Sequence, residues 1–251
     1  MSEYITIAFY NLIRFHYEKS NASHNFRQKN AASYDQKTDL WAAGREALFS
    51  FIRLILAELP ADARILCVGV GTGTEMIALA QAFPQCQFTA VEPASAMLDI
   101  CRQKAEENGI TSRCTFHEGY LDSLPASDPF DAATCLLVSQ FLKEAEERSH
   151  FFGQIAQRLR PGGVLINSDL VLGTSPPVHQ SLFEVWLRML GGSGWSEEDI
   201  EKMRAAWRLH IAALTPPEIE AIIAAGGFDT PVLFFQTLFI HAWFSKRTAP
   251  D

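Results

Sequence analysis

The chain lacks the features of membrane, secreted and nucleic-acid-binding proteins. No uninterrupted apolar stretch reaches the ~20 residues of a membrane span. The N-terminus, Met-Ser-Glu-Tyr, has no basic segment followed by an apolar run, so we expect no secretory signal. Positive charge is in deficit, with 21 Lys and Arg against 29 Asp and Glu for a net charge of −8. That balance disfavours DNA and any broad nucleic-acid footprint.

Cysteine is scarce and scattered. The 5 cysteines form no Cys-x-x-Cys pair and have no clustered histidine partners, so we expect no zinc site or other bound metal. Cys67 and Cys135 fall inside predicted strands, and reduced core thiols indicate a cytoplasmic protein. With 251 residues, 48% of them hydrophobic, the chain is long enough for one large α/β domain with a cap. Its oligomeric state, monomer or homodimer, stays open.

What the chain does contain, after residue 63, is a strand, a glycine-rich turn and a helix. The apolar run Ile65–Val68 has the length of a buried strand. A helical segment follows from about 75 to 83. Between them are three glycines at alternate positions, Gly69, Gly71 and Gly73. In this geometry backbone N–H groups face a bound anion or polar cofactor group, and a Cβ on the glycines would hold that group away.

A second apolar run ends in an acid, Glu92, 19 positions after Gly73. An acid at the tip of the second strand usually holds a ribose diol through charge-assisted hydrogen bonds. The dinucleotide fingerprint Gly-x-Gly-x-x-Gly is absent, because its third glycine would fall at Thr74 or Met76. The spacing therefore predicts a nucleoside cofactor of another kind.

Gly-x-Gly-x-Gly with a downstream glutamate resembles the class I S-adenosylmethionine (SAM)-dependent methyltransferases. Three later segments are similar to that family in the same order: 92–98, 130–138 and 159–166. The resemblance covers about residues 60–170. It implies an α/β, Rossmann-like fold: a seven-stranded, mostly parallel sheet with an antiparallel C-terminal strand and helices on both faces. It also implies SAM as the cofactor and S-adenosyl-L-homocysteine as the product.

The resemblance further implies which residues contact the cofactor. The glycines approach its methionine moiety, Glu92 accepts hydrogen bonds from the ribose hydroxyls, and Met97 packs under the adenine. The complete set of expected cofactor residues is Gly69, Gly71, Thr72, Gly73, Glu92, Pro93, Met97, Gly119, Tyr120, Leu121 and Leu136.

Two positions depart from the family pattern. The residue two before the first glycine is usually acidic and is Cys67 here, which removes a carboxylate from the amino-acid end of the cofactor. Glu75 is a candidate substitute. After the third strand the usual Gly-Asp is Gly-Tyr, so the backbone of Tyr120 and Leu121, or the carboxylate of Asp122, is left to contact the base.

The order of elements follows from the alternation of apolar runs and amphipathic segments. Strands are predicted near 64–69, 86–92, 113–118, 130–138 and 164–170, and helices near 38–59, 75–83, 94–108 and 144–160. Two final strands, 232–236 and 238–246, should pair antiparallel because the chain between them is too short for a crossover. We expect residues 1–37 to form an N-terminal lid that brings Tyr34 over the cofactor, and 38–251 to form the methyltransferase domain.

Residues 172–214 are predicted to be a helical insertion after strand five. Sites in open α/β sheets lie at the carboxyl ends of strands, so the insertion is placed to cap a substrate. Its three tryptophans, Trp186, Trp195 and Trp207, favour a small, partly apolar acceptor. Polar candidates in or near the cap are His179, Arg204, Arg208, His210 and Asp169.

No catalytic residue can be identified by motif, because a sulfonium carbon is already activated and positioning supplies much of the acceleration. We expect methyl transfer to a small molecule, with tRNA not excluded as the acceptor. Two alternatives stay open. Segments 137–142 and 227–236 are similar to carboxy-SAM synthases, which look like methyltransferases but make carboxy-SAM from SAM and prephenate. The other alternative is a SAM-binding protein without catalysis.

Overall fold

The computed structural model describes residues 41–173, 175–189 and 196–249, with the backbone alone at 199, 203, 206 and 208–210. Its helices are α1 Ala42–Ile55, α2 Thr74–Ala82, α3 Ser95–Glu107, α4 Ala145–Arg158, α5 Pro176–Met189, α6 Glu197–His210 and α7 Pro216–Ala225. Its strands are β1 Arg64–Val68, β2 Gln87–Glu92, β3 Cys114–Glu118, β4 Phe130–Leu136, β5 Leu159–Leu170, β6 Val232–Thr237 and β7 Ile240–Lys246. The expected lid, 1–37 with Tyr34, lies outside the described residues, as does Trp195.

The strands form one 7-stranded sheet in the order β3-β2-β1-β4-β5-β7-β6. Strands β1 to β5 pair in parallel, and β7 pairs antiparallel with both β5 and β6. The fold predicted from the sequence is therefore confirmed, including the antiparallel C-terminal strand. Because β1 and β4 are neighbours although they are not consecutive, the carboxyl ends of β1, β2 and β4 meet at one edge of the sheet, where such folds bind ligands.

Helices cover both faces of the sheet. Alternate side chains of β1 point to opposite faces, so Ile65 packs with α1, α2 and α3, whereas Leu66 packs with α4 and α7. Both residues have 0% of their surface exposed. Burying large aliphatic side chains contributes about 1.5–3 kcal/mol each, so the two clusters hold the sheet rigidly behind the candidate site.

Three strand boundaries differ from the prediction by two residues or more. β7 begins at Ile240 rather than 238, after Leu238, whose backbone is left-handed (φ 49°). β4 ends at Leu136, two residues early, because Leu137 has a left-handed backbone (φ 58°) that no extended strand continues through. β5 begins at Leu159 rather than near 164. It gains its extra residues through a register shift between Phe130 and Ala132 of β4, which leaves residues 160–162 exposed.

The insertion forms two helices, α5 and α6, at the carboxyl end of β5. Its buried side chains pack with Leu170 at the end of β5 and with Phe239 and Ile240 at the start of β7. Leu137 and Phe141, which follow β4, pack against the same cluster. None of the described helices is long and apolar enough to cross a bilayer.

Candidate cofactor and acceptor site

The glycine turn after β1 is built from left-handed residues. Gly69, Gly71 and Gly73 have φ values of 65°, 56° and 82°, which side chains rarely adopt. The amides of Gly69 and Val70 donate to the carbonyl of Val91, at 2.8 and 3.1 Å, and join the turn to β2. The turn therefore has a defined position beside the tip of β2.

The three glycines have different neighbours. A Cβ on Gly69 would lie 2.5 Å from a methyl of Val138, and one on Gly73 would lie 2.5 Å from the Cys101 sulfur. Among the described residues, a Cβ on Gly71 would meet nothing closer than the Met97 Cε, at 3.9 Å. Gly69 and Gly73 are thus required by packing within the protein. Of the three, Gly71 is the position where a Cβ meets no described atom closer than van der Waals contact, and it lies beside Met97, as a nucleoside cofactor site requires.

The carboxylate of Glu92 is buried, with 0% of the residue exposed, at the tip of β2. One oxygen accepts the amide of Gly71 at 3.0 Å, and the other accepts the amide of Ala94 at 3.0 Å. A carboxylate has about four acceptor positions, so these two bonds leave acceptor capacity for ribose hydroxyls. The sequence did not indicate that Glu92 also ties the glycine turn to the start of α3.

Thr72 and Met97 are both buried beside the turn. The Thr72 hydroxyl accepts from the Lys104 ammonium at 3.2 Å and lies 3.4 Å from the Thr74 hydroxyl. That arrangement directs its side chain to α3, so we expect any cofactor contact of Thr72 to be made by its backbone. Met97 is 1% exposed and packs with Ala96 in the first turn of α3.

The loop after β3 begins beside the tip of β2, to which it is joined by a hydrogen bond from the amide of Gly119 to the carbonyl of Glu92 at 3.2 Å. Leu121–Ser123 then forms a 3-10 turn. Leu121 is 3% exposed, with its side chain in the core and its carbonyl bound by Arg158, whereas Tyr120 is 53% exposed. Asp122 is exposed as well. Pro93, partly buried, leads from Glu92 into α3.

Cys67 and Glu75 lie on the same side of the sheet. Thr134, the register partner of Cys67 on β4, donates a hydrogen bond from its hydroxyl to the Glu75 carboxylate. Burial raises the pKa of Glu75 to about 7, against a smaller lowering effect of the Thr134 hydrogen bond. Burial also raises the pKa of the Cys67 thiol, and the neighbouring Glu75 adds to that shift. Glu75 thus brings a carboxyl group close to the position where the family carries its acid.

Leu136 ends β4 beside the glycine turn, since β1 and β4 are neighbours in the sheet. The next amide, that of Leu137, donates to both the carbonyl and the hydroxyl of Ser168, at 2.9 and 3.1 Å. These two bonds hold the left-handed Leu137 in place, and a left-handed Leu costs roughly 1–2 kcal/mol. Backbone strain at the carboxyl end of a strand is typical of functional sites.

Asp169, a candidate base from the sequence, is fully buried and belongs to an ion pair. It lies 2.8 Å from an Arg148 guanidinium nitrogen, accepts the Ser139 hydroxyl at 2.8 Å, and accepts the Asn167 amide at 2.7 Å. Arg148 also donates to the Ala212 carbonyl at 3.1 Å. Asp169 therefore ties the loop after β4 and the end of the cap to β5 and is not placed to take a proton from a substrate.

Arg148 was not among the residues predicted from the sequence, although its spacing carried a signal. Arg148, Phe152 and Ile155 recur at four and three residues along α4 and share its buried face. A charged residue at a core position of an amphipathic helix needs a buried partner. The partner, Asp169, could not be identified without the tertiary structure.

In the cap, His179 and Arg204 lie close together. His179 Nδ1 accepts the amide of Gly173 at 3.4 Å, which assigns the ring proton to Nε2. Burial, and then the Arg204 charge, lower the pKa of His179, so the imidazole stays neutral near pH 7. Arg204 stacks over Phe183, 5.0 Å from its ring centroid, and donates to Gln180. The side chains of Arg208 and His210 lie outside the described part of the chain.

Trp186 and Trp207 form the interior of the cap together with Phe239. The Trp207 ring lies 5.2 Å from Phe239 and 6.2 Å from Trp186, and the two tryptophans are 7% and 4% exposed. They pack on one another and form an apolar cluster at the ends of β4 and β5. Among the described residues no group of three potential ligands is placed to hold a metal ion.

This geometry fits the amino-acid and ribose parts of SAM: room beside Gly71 among the described residues, a buried acceptor pair on Glu92 and a carboxyl at Glu75. A model of a methyltransferase domain matches residues 65–163. A demethylmenaquinone methyltransferase of Thermus thermophilus is 30% identical over 225 residues, 84% of this chain and 96% of that one. The chain therefore belongs to the class I SAM-dependent methyltransferase superfamily, and its cofactor is SAM.

Other relatives carry a different activity in their names. A carboxy-S-adenosyl-L-methionine synthase of Campylobacter lari is 28% identical over 178 residues, which span 70% of this chain and 74% of that protein. The corresponding synthase of Pseudomonas putida is 28% identical over 158 residues, 63% of its length.

Solved structures share the fold at low identity. Human N-acetylserotonin methyltransferase in complex with SAM has a TM-score of 0.62 at 15% identity, over 90% of this chain and 57% of that one. An O-methyltransferase of Planctomyces limnophilus in complex with apigenin has a TM-score of 0.60 at 20% identity, over 94% and 66%.

Proposed function

We propose that this protein transfers the methyl group of SAM to a small, partly apolar acceptor held beneath the cap of residues 172–214. The observation that carries the proposal is the pairing of Gly71 with Glu92. Among the described residues a Cβ on Gly71 would meet nothing closer than van der Waals contact, and the carboxylate that accepts the Gly71 amide keeps acceptor positions unused.

The residues have separate roles in this proposal. Gly69 and Gly73 set the shape of the turn, and Gly71 leaves room for the cofactor's amino-acid arm. Glu92 accepts hydrogen bonds from the ribose hydroxyls, Met97 packs under the adenine, and backbone groups of Tyr120 and Leu121 meet the base edge. Thr72, Pro93, Gly119 and Leu136 complete the lining through their backbone or apolar surface. Glu75 faces the cofactor's ammonium group.

Bound SAM supplies an electrophilic methyl carbon, so the protein's task is to position an acceptor in line and to exclude water. Asp169 is engaged by Arg148, and His179 presents an N–H at its outer nitrogen. Neither is therefore a good general base. The proposal accordingly favours an acceptor that loses its proton without a dedicated base, such as a phenol or a carbon acid whose carbanion is stabilised.

The apolar support of the cap favours a small acceptor. Phe183, Trp186 and Phe239 are nearly or fully buried at the carboxyl ends of β4 and β5. The demethylmenaquinone methyltransferase, the N-acetylserotonin methyltransferase and the O-methyltransferase with apigenin are named for small aromatic molecules, and they support a small acceptor by analogy of fold. A chain with a net charge of −8 makes RNA a weaker candidate.

The first test is cofactor binding with two matched glycine variants. Gly71 and Gly109 both have positive φ, 56° and 68°, and neither would place a Cβ within 3.5 Å of another group. Replacing either by Ala should cost a similar ~1–2 kcal/mol of stability. By calorimetric titration only Gly71→Ala should weaken S-adenosyl-L-homocysteine binding, by about tenfold or more. Equal affinities in both variants would remove the turn from the site.

The second test identifies the acceptor. Release of labelled methyl from SAM is measured across small acids, phenols, amines and bulk tRNA. We expect label in a phenol or another small apolar acceptor. Label confined to tRNA would overturn the small-acceptor proposal, and binding without any turnover would support a SAM-binding protein without catalysis.

A carboxy-SAM synthase-like activity is the second candidate, favoured by the relatives that carry that name. A carboxylated product needs a cation nearby, and Arg204, partly buried in the cap beside His179, is one described guanidinium that could provide it. Prephenate-dependent conversion of SAM to carboxy-SAM, detected by mass spectrometry and lost in Arg204→Gln, would establish this reading over methyl transfer.

A further inference from the structure

Arg158, the last residue of α4, makes an unusual set of contacts with the loop after β3. One guanidinium nitrogen donates to the carbonyls of Leu121 and Leu124, at 2.9 and 2.6 Å. The other donates to the carbonyl of Pro125 at 3.3 Å. A single side chain thereby binds three backbone acceptors within five residues of the loop.

The loop is also attached to α4 by apolar contacts. Leu121 and Leu124 are buried in the same cluster as Phe152 and Ile155 of α4. The apolar contacts hold the loop against the helix but do not set the direction of its peptide groups. That direction is determined by the hydrogen bonds, because they are directional and burial is not.

The peptide geometry carries the effect of Arg158 to the outer side of the loop. In a planar trans peptide the C=O of one residue and the N–H of the next point in opposite directions. Holding the Leu121 carbonyl toward α4 therefore turns the Asp122 amide away from α4. Ser123 orients the preceding peptide group, between Tyr120 and Leu121. Its amide and its hydroxyl both donate to the Tyr120 carbonyl, at 3.1 and 2.8 Å.

This orientation matters because of the residue at position 120. The side chain of Tyr120 is 53% exposed and carries no carboxylate to accept the adenine amino group. If this loop meets the base, the outward amides of Leu121 and Asp122 are donors that suit the N1 acceptor of adenine, and the exposed Asp122 carboxylate is a described acceptor for its amino group. A backbone group recognises a base edge only when its direction is held to within a few tens of degrees.

We propose that Arg158 is a positioning residue for adenine recognition: it orients the loop backbone that distinguishes an adenine from other bases. The inference rests on the proposed placement of the cofactor. Arg158 touches neither cofactor nor acceptor, and it acts through Leu121, Leu124 and Pro125.

The chain contains a matched control. Arg113 also donates to three backbone carbonyls, those of Ala80, Phe83 and Cys86, at 2.9, 3.1 and 2.9 Å. Its three acceptors join the end of α2 to β2, at the amino end of the strands and opposite the glycine turn. Loss of either arginine removes the same number of hydrogen bonds from a loop, but only one of the loops belongs to the candidate site.

The experiment compares full-length wild type, Arg158→Ala, Arg158→Lys and Arg113→Ala. Titration measures the Kd of S-adenosyl-L-homocysteine and of S-inosyl-L-homocysteine, in which oxygen replaces the 6-amino group and N1 carries a hydrogen, so that a backbone amide finds no acceptor at N1. We expect Arg158→Ala to weaken adenosyl binding by about tenfold and to reduce the inosyl-to-adenosyl Kd ratio by roughly the same factor. Arg158→Lys keeps the charge and can still bind one carbonyl, so its Kd ratio should lie between those of wild type and Arg158→Ala. It provides the measurement if the alanine variant does not fold.

Arg113→Ala should lose thermal stability comparably while both Kd values stay within about twofold of wild type. An unchanged Kd ratio in both Arg158 variants would overturn the inference and leave Arg158 a structural residue. An equal fall of the ratio in Arg113→Ala would overturn it too, since the effect would then be general destabilisation. If wild type itself binds neither ligand, the proposed cofactor site is wrong. The other outcomes concern Arg158 alone and leave the cofactor site standing.

Discussion

The buried carboxylate of Glu92 provides the sharpest test of the cofactor site. Its two oxygens accept the amides of Gly71 and Ala94, each at 3.0 Å, and the residue is completely buried. Glu92→Gln keeps the shape of the side chain but turns an NH₂ group toward one of those amides. Glu92→Ala removes both acceptors.

The magnitude follows from the acceptor positions that remain. About four are available on a carboxylate and two are used by the backbone, and in the proposed site the ribose diol occupies the others. A hydrogen bond to a charged group contributes about 1.5–3 kcal/mol. At about 1.4 kcal/mol per tenfold change, losing one weakens cofactor binding roughly 10- to 150-fold. The donor that Glu92→Gln leaves unsatisfied should also cost about 1–3 kcal/mol of unfolding free energy.

Binding and folding effects can be separated by a thermodynamic cycle. Calorimetric titration of wild type and Glu92→Gln with S-adenosyl-L-homocysteine and with its 2′-deoxy analogue gives four affinities. Wild type should lose affinity for the deoxy analogue, and the variant should bind both ligands almost equally. The difference between the two losses is the coupling energy between Glu92 and the hydroxyl.

Glu118 offers a control of the same residue type. It pairs with Glu92 in register at the end of β3 and is exposed. Glu118→Gln should leave the affinities and the cycle unchanged. If wild type binds the deoxy analogue as tightly as the parent ligand, Glu92 serves only its own backbone, and the assignment of the ribose to this acid is wrong.

Three further predictions concern groups in and around the site. Burial raises the pKa of Glu75 from 4.5 to about 7 in the folded protein, so its stabilising contribution is full below pH ~4.5 and is lost as the pH rises through ~7, by up to about 3 kcal/mol. The free energy of unfolding, measured in urea at pH 5 and at pH 8, should show this fall in wild type and much less of it in Glu75→Gln. Asp169→Asn should lower the unfolding free energy by about 3–5 kcal/mol, since it leaves Arg148 without its buried counter-charge, whereas a variant that is inactive but equally stable in thermal melts would restore Asp169 as a candidate base. Trp207→Ala should cost about 3–5 kcal/mol by opening a cavity in the cap, and unchanged thermal unfolding together with unchanged acceptor KM would show that the cap is not built around this ring.

Local patterns predicted the fold and the centre of the site. A strand of four buried residues, the left-handed backbone that Gly71 requires, and an acid at the end of the next strand are each encoded by neighbouring residues. The alternation of strands and helices then leaves few topologies, because parallel strands need crossover connections. The confirmed seven-stranded sheet therefore followed from the sequence with only small errors at the ends of elements.

Errors at those ends had physical causes that no local pattern contains. The left-handed Leu137 depends on two hydrogen bonds that its amide donates to Ser168, a residue 31 positions away. The early start of β5 depends on a register shift against Phe130 and Ala132. Both are properties of a neighbouring strand.

The roles of the charged side chains were decided by the tertiary structure alone. From the sequence, Asp169 was predicted to lie near the pocket. Its role is determined by an ion pair with Arg148, which lies 21 positions earlier on another element. Thr72 reads as a cofactor residue, yet its hydroxyl is bound by Lys104. In the sequence Arg158 is an ordinary residue at the end of a helix. Only the tertiary structure shows that it binds the backbone carbonyls of the loop that contains Leu121. Periodicity and turn chemistry act between neighbours in the chain, whereas an ion pair or a bound carbonyl joins residues that only folding brings together, and a side chain's chemistry follows its partner.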